Sequence, residues 1–312
     1  PPPPFPPEAP SLGPGVLSDL PPAWASALFV HLARIIQPYR PDRTQQLMER
    51  AALARTTLEG KSFPTFDMYW NVEMYLMTGD EAYHNYIKEH ASDVMAIVNT
   101  FNQGTEAFAR NAWLPSYFCS YLLTKSRATD PAVTAIFKDA LKQTADRELE
   151  FLAMNAYPVG TPANLRWWGS NVAQGQYAYP MMLYWKLSGE DKYIDGVSQL
   201  MDYALGLNPM GKCFVTSLGY NQVHHPHDRE TEYTNHEMHW GIRPGLLVFG
   251  PGLNTNAGRT YPAFDRNTPR ERIYIDNLNA ISQSEFTIYQ SLCFPANISP
   301  ILTGGSDFSS MY

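Results

Sequence analysis

Two stretches of the chain, MYLMTGDEAYHNYI at 74–87 and YWKLSGEDKYIDGV at 184–197, follow one pattern: an apolar helix end, Thr or Ser before Gly, two acidic residues, then Tyr. Superposing Gly79 on Gly189 also superposes Tyr83 on Tyr193. Glycine accepts the left-handed conformation that ends a helix, and acidic residues favour the first turn of the next one. Each stretch is therefore predicted to be the turn of an αα-hairpin. Hairpins recurring along one chain point to an α-solenoid or a closed α/α toroid.

Other segments read the same way. Apolar residues at helical spacing predict helices over 22–39, over 42–60 with Asp42 as cap and Gly60 as stop, over 66–80, over 80–98, and over 130–154 behind a capping Asp130. Strand-like alternation is rare, so the expected class is all-α. The opening PPPPFPPEAPSLGPG sets residues 1–20 apart as a proline-rich linker or surface loop, and 21–312 is read as the domain, with the native protein expected to begin further upstream. Hydrophobic residues make up 44% of the chain and charged residues 17%, which suffices for a large core and argues against disorder. With a net charge of −7 and no Lys/Arg cluster, nucleic acid and anionic membranes are excluded as partners, and no apolar run reaches the length of a membrane span. Cys119, Cys213 and Cys293 lie far apart and form no zinc or redox motif.

From about residue 207 the chain becomes rich in Gly, Pro and Asn, as long ordered loops are, and such loops on a rigid scaffold carry most functional sites. The segment HHPHDRETEYTNHEMH at 224–239 holds five of the eight histidines. Three readings compete for it. His224, His225, His227, His236 and His239 could converge on a metal, although HEMH spaces its histidines three apart where the HExxH zinc motif needs four. An extended chain behind Pro226 would point His227 and Arg229 the same way, offering an imidazole and a guanidinium to sugar hydroxyls. The third reading is a polar loop with no task. The 19 Tyr and 7 Trp suit a protein that stacks on sugar rings, as well as one with an aromatic core.

The segment CFVTSLGYNQVHHPHDR resembles the signature loop of glycoside hydrolase family 9 through Thr216, Gly219, Asn221 and Pro226-His227-Asp228-Arg229, with Cys213 as a departure. A second stretch resembles the family's other signature through Tyr274, Asp276, Glu285 and Thr287, departing at Ile281 and at Ser291-Leu292. RWWGSN at 166–171 and RPGLLVFGP at 243–251 are similar to further family segments in the same order.

The resemblance implies an (α/α)6 barrel, a toroid of six hairpins, present here as its C-terminal two-thirds and incomplete at the N-terminus. It implies inverting hydrolysis of β-1,4-glycosidic bonds in a glucan or related polysaccharide, of the endoglucanase type. Inversion takes one protonated carboxyl and a second carboxylate about 6.5–9.5 Å away that activates water. The implied acid is Glu285. Its sequence neighbours are apolar and hydroxyl residues, and the residue-level alternative is an exposed Glu at a helix N-terminus capped by Ser282 or Ser284. Asp276 is the other candidate at the centre, read as holding the loop or orienting a group near the acid. The base is expected from an aspartate pair in an upstream segment, because no Asp-Ala-Gly-Asp stretch occurs in these residues. The implied sugar-binding residues are His227, Arg229, His225 and Trp168, while Asn171 is read as holding its own loop. No cofactor is implied, and there is room for a structural calcium ion. The implied partners are a polysaccharide and the N-terminal part of the same catalytic domain, outside the cell. Two alternatives stand beside this reading: a non-catalytic carbohydrate-binding or structural protein derived from the fold, and a metal-dependent enzyme using the 224–239 histidines.

Overall fold

A computed structural model describes residues 20–102, 116–160, 169–171, 174–233, 241–252, 265, 267–287 and 296–303. The proline-rich stretch at 1–19 lies outside them. Chain contacts divide the molecule into two compact units, Pro1–Ile87 and Lys88–Tyr312.

The first unit is built on α1 (Leu20–Ile36), α2 (Pro41–Thr56) and α3 (Pro64–Thr78), with α1 packed on both of the others. Its core joins Val30, Ala51 and Met74, and Phe29, Met48, Trp70, Met77 and Tyr83 pack around them. A buried ion pair fixes α1 against α3: Glu73 is fully buried and accepts from Arg34 Nε at 2.8 Å. Asp67 ties the start of α3 to α2, because its carboxylate accepts from Arg55, from Ser62 Oγ and from the Phe63 amide. One correction concerns α2. It starts at Pro41 after Arg40, with Asp42 one residue inside and ion-paired to Arg40. Proline suits the first helical position because its missing N–H would have had no partner there. The outward side of α1 carries Trp24, Leu28, Leu32 and Ile35, exposed at 46, 38, 43 and 36%.

The two repeated turns have one geometry. Gly79 and Gly189 sit at φ of 74° and 70°, and each amide donates at 2.8 Å to a carbonyl four residues back, Tyr75 and Trp185. The hydroxyls of Thr78 and Ser188 each accept at 3.2 Å from the amide two residues on, and the amides of Tyr83 and Tyr193 each donate at 3.2 Å to the backbone carbonyl three residues back, of Asp80 and Glu190. The turns open α4 (Glu81–His90) and α9 (Asp191–Leu205). The helix expected over 80–98 is two helices, α4 and α5 (Asp93–Asn102), broken at Ala91-Ser92. Asp93 pairs with His90 across the break and stands in the first turn of α5, where a carboxylate meets unpaired amides.

In the second unit α6 (Ser116–Leu123) leads into α7 (Pro131–Ala153). Asp130 caps α7 as expected, accepting from the amides of Ala132 and Val133. The α7 helix packs against α8 (Gln174–Ser188) and α9, and Tyr193 on α9 donates to Asp146 on α7 at 2.6 Å. After α9 the described residues form loops broken by α10 (Arg229–Tyr233), a turn of 3-10 helix at Arg270–Arg272, α11 (Ile281–Ser284) and helical residues at 296–302. The β-pairing among the described residues consists of two isolated bridges, Cys213 with Gln222 and Val215 with Leu247.

Candidate active site

The loops rest on a buried apolar floor. The Phe214 amide donates to the Ala204 carbonyl at the end of α9, and the Val248 amide donates to Phe214. Phe214, Leu247, Val248 and Phe249 are buried, and Phe214 meets Tyr274 edge to face at 5.2 Å. Thr216 closes the next rung: its hydroxyl donates to Arg243 O at 2.7 Å and accepts from the Leu246 amide at 2.9 Å. Segments 213–216 and 246–249 thus form one stiff layer, and the two signature stretches hang from its edges.

The histidine loop is held by Asp276. Its carboxylate accepts the His224 amide at 2.9 and 3.1 Å and the His225 amide at 2.8 Å, and Lys212 Nζ lies 3.4 Å away. A carboxylate with this many donors is a brace, since each charge-assisted bond is worth about 1.5–3 kcal/mol. Lys212 was not expected here. Its own backbone is clamped by the Asn208 side chain, which accepts its amide and donates to its carbonyl. Such a brace spans more than fifty residues of sequence, so no local pattern announces it.

His227 is bonded twice to the stretch around α11. Its amide donates to Ser284 O at 2.8 Å, and its Nδ1 lies 2.6 Å from Leu278 O. A carbonyl only accepts, so Nδ1 carries the proton, and Nε2 of the neutral ring is an acceptor. The loop is not extended as the sequence suggested. The Asp228 amide donates to Pro226 O at 2.8 Å, a three-residue turn centred on His227. Asp228 then caps α10 through the amides of Glu230 and Thr231, so Arg229 begins a helix. His225 and Arg229 are exposed.

Glu285 follows α11 and ends it: the residue is extended, at φ −71° and ψ 161°. The alternative of a Glu at a helix N-terminus is thereby corrected. Ser282 and Ser284 lie inside α11, and the single proton of the Ser284 hydroxyl is shared between Asn277 O at 2.7 Å and Ala280 O at 2.9 Å. The Glu285 carbonyl accepts the Phe249 amide at 2.8 Å. Its partly exposed side chain has no ion-pair partner among the described residues. On the far side of Phe249, the Asn171 amide donates to Phe249 O at 2.8 Å and Asn171 Nδ2 to Val248 O at 3.1 Å, so Asn171 holds its loop as expected. Trp168, His236 and His239 lie outside the described residues. Among the described residues no group of three or more His, Cys, Asp or Glu is placed to hold a metal ion.

The sequence profile described as Glycosyl hydrolase family 9 matches residues 26–295. The chain belongs to glycosyl hydrolase family 9. Among relatives of this family member, a cellulose 1,4-β-cellobiosidase of Acetivibrio thermocellus is 25% identical over 240 residues, covering 71% of this chain and 26% of that protein. A xyloglucan-specific endo-β-1,4-glucanase of Bacteroides ovatus is 27% identical over 226 residues, covering 71% and 36%. A metagenome-derived family 9 endoglucanase matches in structure with a TM-score of 0.69 at 24% identity, over 88% of this chain and 51% of its own. A thermostable endoglucanase from Alicyclobacillus acidocaldarius matches with a TM-score of 0.71 at 18% identity, over 90% and 54%. The chain shares the all-α fold of these structures, which are (α/α)6 barrels, and spans about half their length.

Proposed function

We propose that the chain carries the proton-donating side of an inverting β-1,4-glucan hydrolase, with Glu285 as the general acid. One observation carries the reading: the backbone around the acid is tied on one side to His227, through the Ser284 carbonyl, and on the other to Phe249. The acid and the histidine loop therefore move as one body, which is what proton donation to a gripped sugar requires. His227 offers an acceptor at Nε2 and Arg229 an array of donors, together a match for adjacent sugar hydroxyls. His225 adds a second imidazole beside them. Trp168 is taken, on the family resemblance of its stretch, as the ring on which a sugar stacks. Asp276 acts as a positioning residue, because its lone pairs are taken by the loop it holds.

The substrate is a plain or decorated β-1,4-glucan, in keeping with the names of the relatives, and a polymer of that kind places the protein outside the cell. The chemistry needs no cofactor. The catalytic base is an aspartate in the part of the family domain that these residues do not span. The exposed face of α1 supports such a completion, since Trp24, Leu28, Leu32 and Ile35 recur at the spacing of a helix-packing stripe. Leu28→Glu with Leu32→Glu is expected to abolish pull-down of a separately expressed N-terminal half of a family 9 domain, while the native chain retains it. Equal retention by both would sink that placement.

Inversion is tested by proton NMR of the first sugar released from cellotetraose by the assembled domain. The α-anomer is expected, and initial release of the β-anomer would overturn the mechanism. A non-catalytic carbohydrate-binding protein is the second reading, favoured by the absence of an Asp-Ala-Gly-Asp stretch from these residues. It predicts cellotetraose binding without turnover even after assembly.

A further inference from the structure

We infer that Lys212 is a positioning residue for sugar binding: its ammonium locks the near end of the histidine loop to the carboxylate that holds the loop's amides. The inference rests on the sugar-binding role proposed for His225, His227 and Arg229.

Lys212 reaches both ends of the connection. Its Nζ donates to Gln222 O at 2.9 Å, three residues before His225, and lies 3.4 Å from Asp276 Oδ2. The same carboxylate accepts the amides of His224 and His225. The ammonium also stands 5.9 Å from the centre of the Tyr274 ring, two residues before Asp276. The side chain is only 16% exposed and that of Asp276 only 20%, so neither charge is freely hydrated. Ordering a lysine costs up to about 2 kcal/mol of rotamer entropy. The two bonds and the ring contact offset that cost only while loop and carboxylate stay together.

A further feature separates this lysine from an ordinary surface ion pair. Asn208 grips its backbone on both sides, and the isolated Cys213–Gln222 bridge holds the two segments side by side. The stem of Lys212 is therefore rooted in the stiff layer, and only its tip touches the loop. Removing the ammonium leaves Asp276 without a counter-charge and the Gln222 carbonyl without its donor. The loop then loosens between 222 and 225, the stretch that carries His225 and leads into His227 and Arg229, while the floor under it stays intact.

The test uses the full chain with Lys212→Met and Lys212→Arg, and Lys212→Gln as a second neutral variant should the methionine misfold. Hydrogen exchange at the His224 and His225 amides is expected to accelerate about tenfold or more in the neutral variants, matching the loss of roughly 1.4 kcal/mol of bracing, and to stay near native in Lys212→Arg. Calorimetric affinity for cellotetraose is expected to fall about tenfold in the neutral variants and to be restored to within about threefold by arginine, which retains charge and reach. Rescue by arginine separates positioning from simple packing, which methionine would satisfy. Unchanged exchange in the neutral variants overturns the inference whatever the ligand does. Accelerated exchange with unchanged affinity also overturns it, since the loop would then need no brace to bind. A native chain with normal exchange and no cellotetraose binding overturns the sugar-binding reading, and the positioning role with it.

Discussion

Glu285→Gln is expected to lower kcat on an unactivated cello-oligosaccharide by between about 10²- and 10⁴-fold in the assembled domain, with KM nearly unchanged. Glutamine keeps the shape and cannot donate a proton to the leaving oxygen. The same variant should lose far less activity on a 2,4-dinitrophenyl cellobioside, whose leaving group departs without protonation. That contrast distinguishes an acid from a base, because loss of the base would slow both substrates alike. It also distinguishes an acid from a structural residue, because a collapsed loop would raise KM for both. The backbone geometry makes the experiment clean. Glu285 is fixed through its own carbonyl, by the Phe249 amide, and through its neighbour's carbonyl, by the His227 amide. The side chain contributes to neither bond, so its chemistry can be changed without disturbing its position. Equal loss on both substrates would remove Glu285 from the role of proton donor.

The parts of this protein that were legible in its sequence are those decided within a few residues. The turns at Gly79 and Gly189 could be read because left-handed backbone, hydroxyl and acid all lie inside five positions, and the glycine, hydroxyl and tyrosine-amide bonds recur in both turns, although only Asp80 caps through its carboxylate. Asp130 was legible as the cap of α7 for the same reason. The split between α4 and α5 was missed because Ala91-Ser92 carries neither Gly nor Pro, and the signal is a side-chain pair, His90 with Asp93, that also occurs within continuous helices. The loop region was legible only in its cast. Thr216, Asp276, Glu285 and the residues from Pro226 to Arg229 could be named by family resemblance. Their arrangement depends on bonds such as Asp276 to His224, or His227 to Leu278, that join segments about fifty residues apart. Periodicity carries no information about such pairs. The extended path on which the sugar-gripping reading was conditioned does not occur at His227, where the Asp228 amide turns back to Pro226 O, Asp228 caps α10, and His227 is bonded to Ser284 and Leu278.

Gly169→Ala is expected to destabilise the chain by about 3 kcal/mol or more, well above the usual range for a surface glycine. A methyl group at 169 would stand 2.0 Å from the Phe249 carbonyl oxygen and 2.3 Å from its carbon. Neither atom can retreat. That carbonyl accepts the Asn171 amide, the Phe249 amide is committed to Glu285, and the ring lies in the buried floor. Gly189→Ala supplies the control. Nothing lies within 4 Å of its added methyl, so only the left-handed backbone is strained, at about 1–2 kcal/mol. Urea denaturation of the two variants should therefore rank them clearly, with Gly169→Ala the weaker. Gly169→Ala should also speed hydrogen exchange at the Phe249 amide, because the Gly169–Asn171 segment bonded to the Phe249 carbonyl would be forced off it. A Gly169→Ala chain as stable as the native one would mean that the Gly169–Asn171 segment does not bear on Phe249, and the acid would then be braced from the His227 side alone.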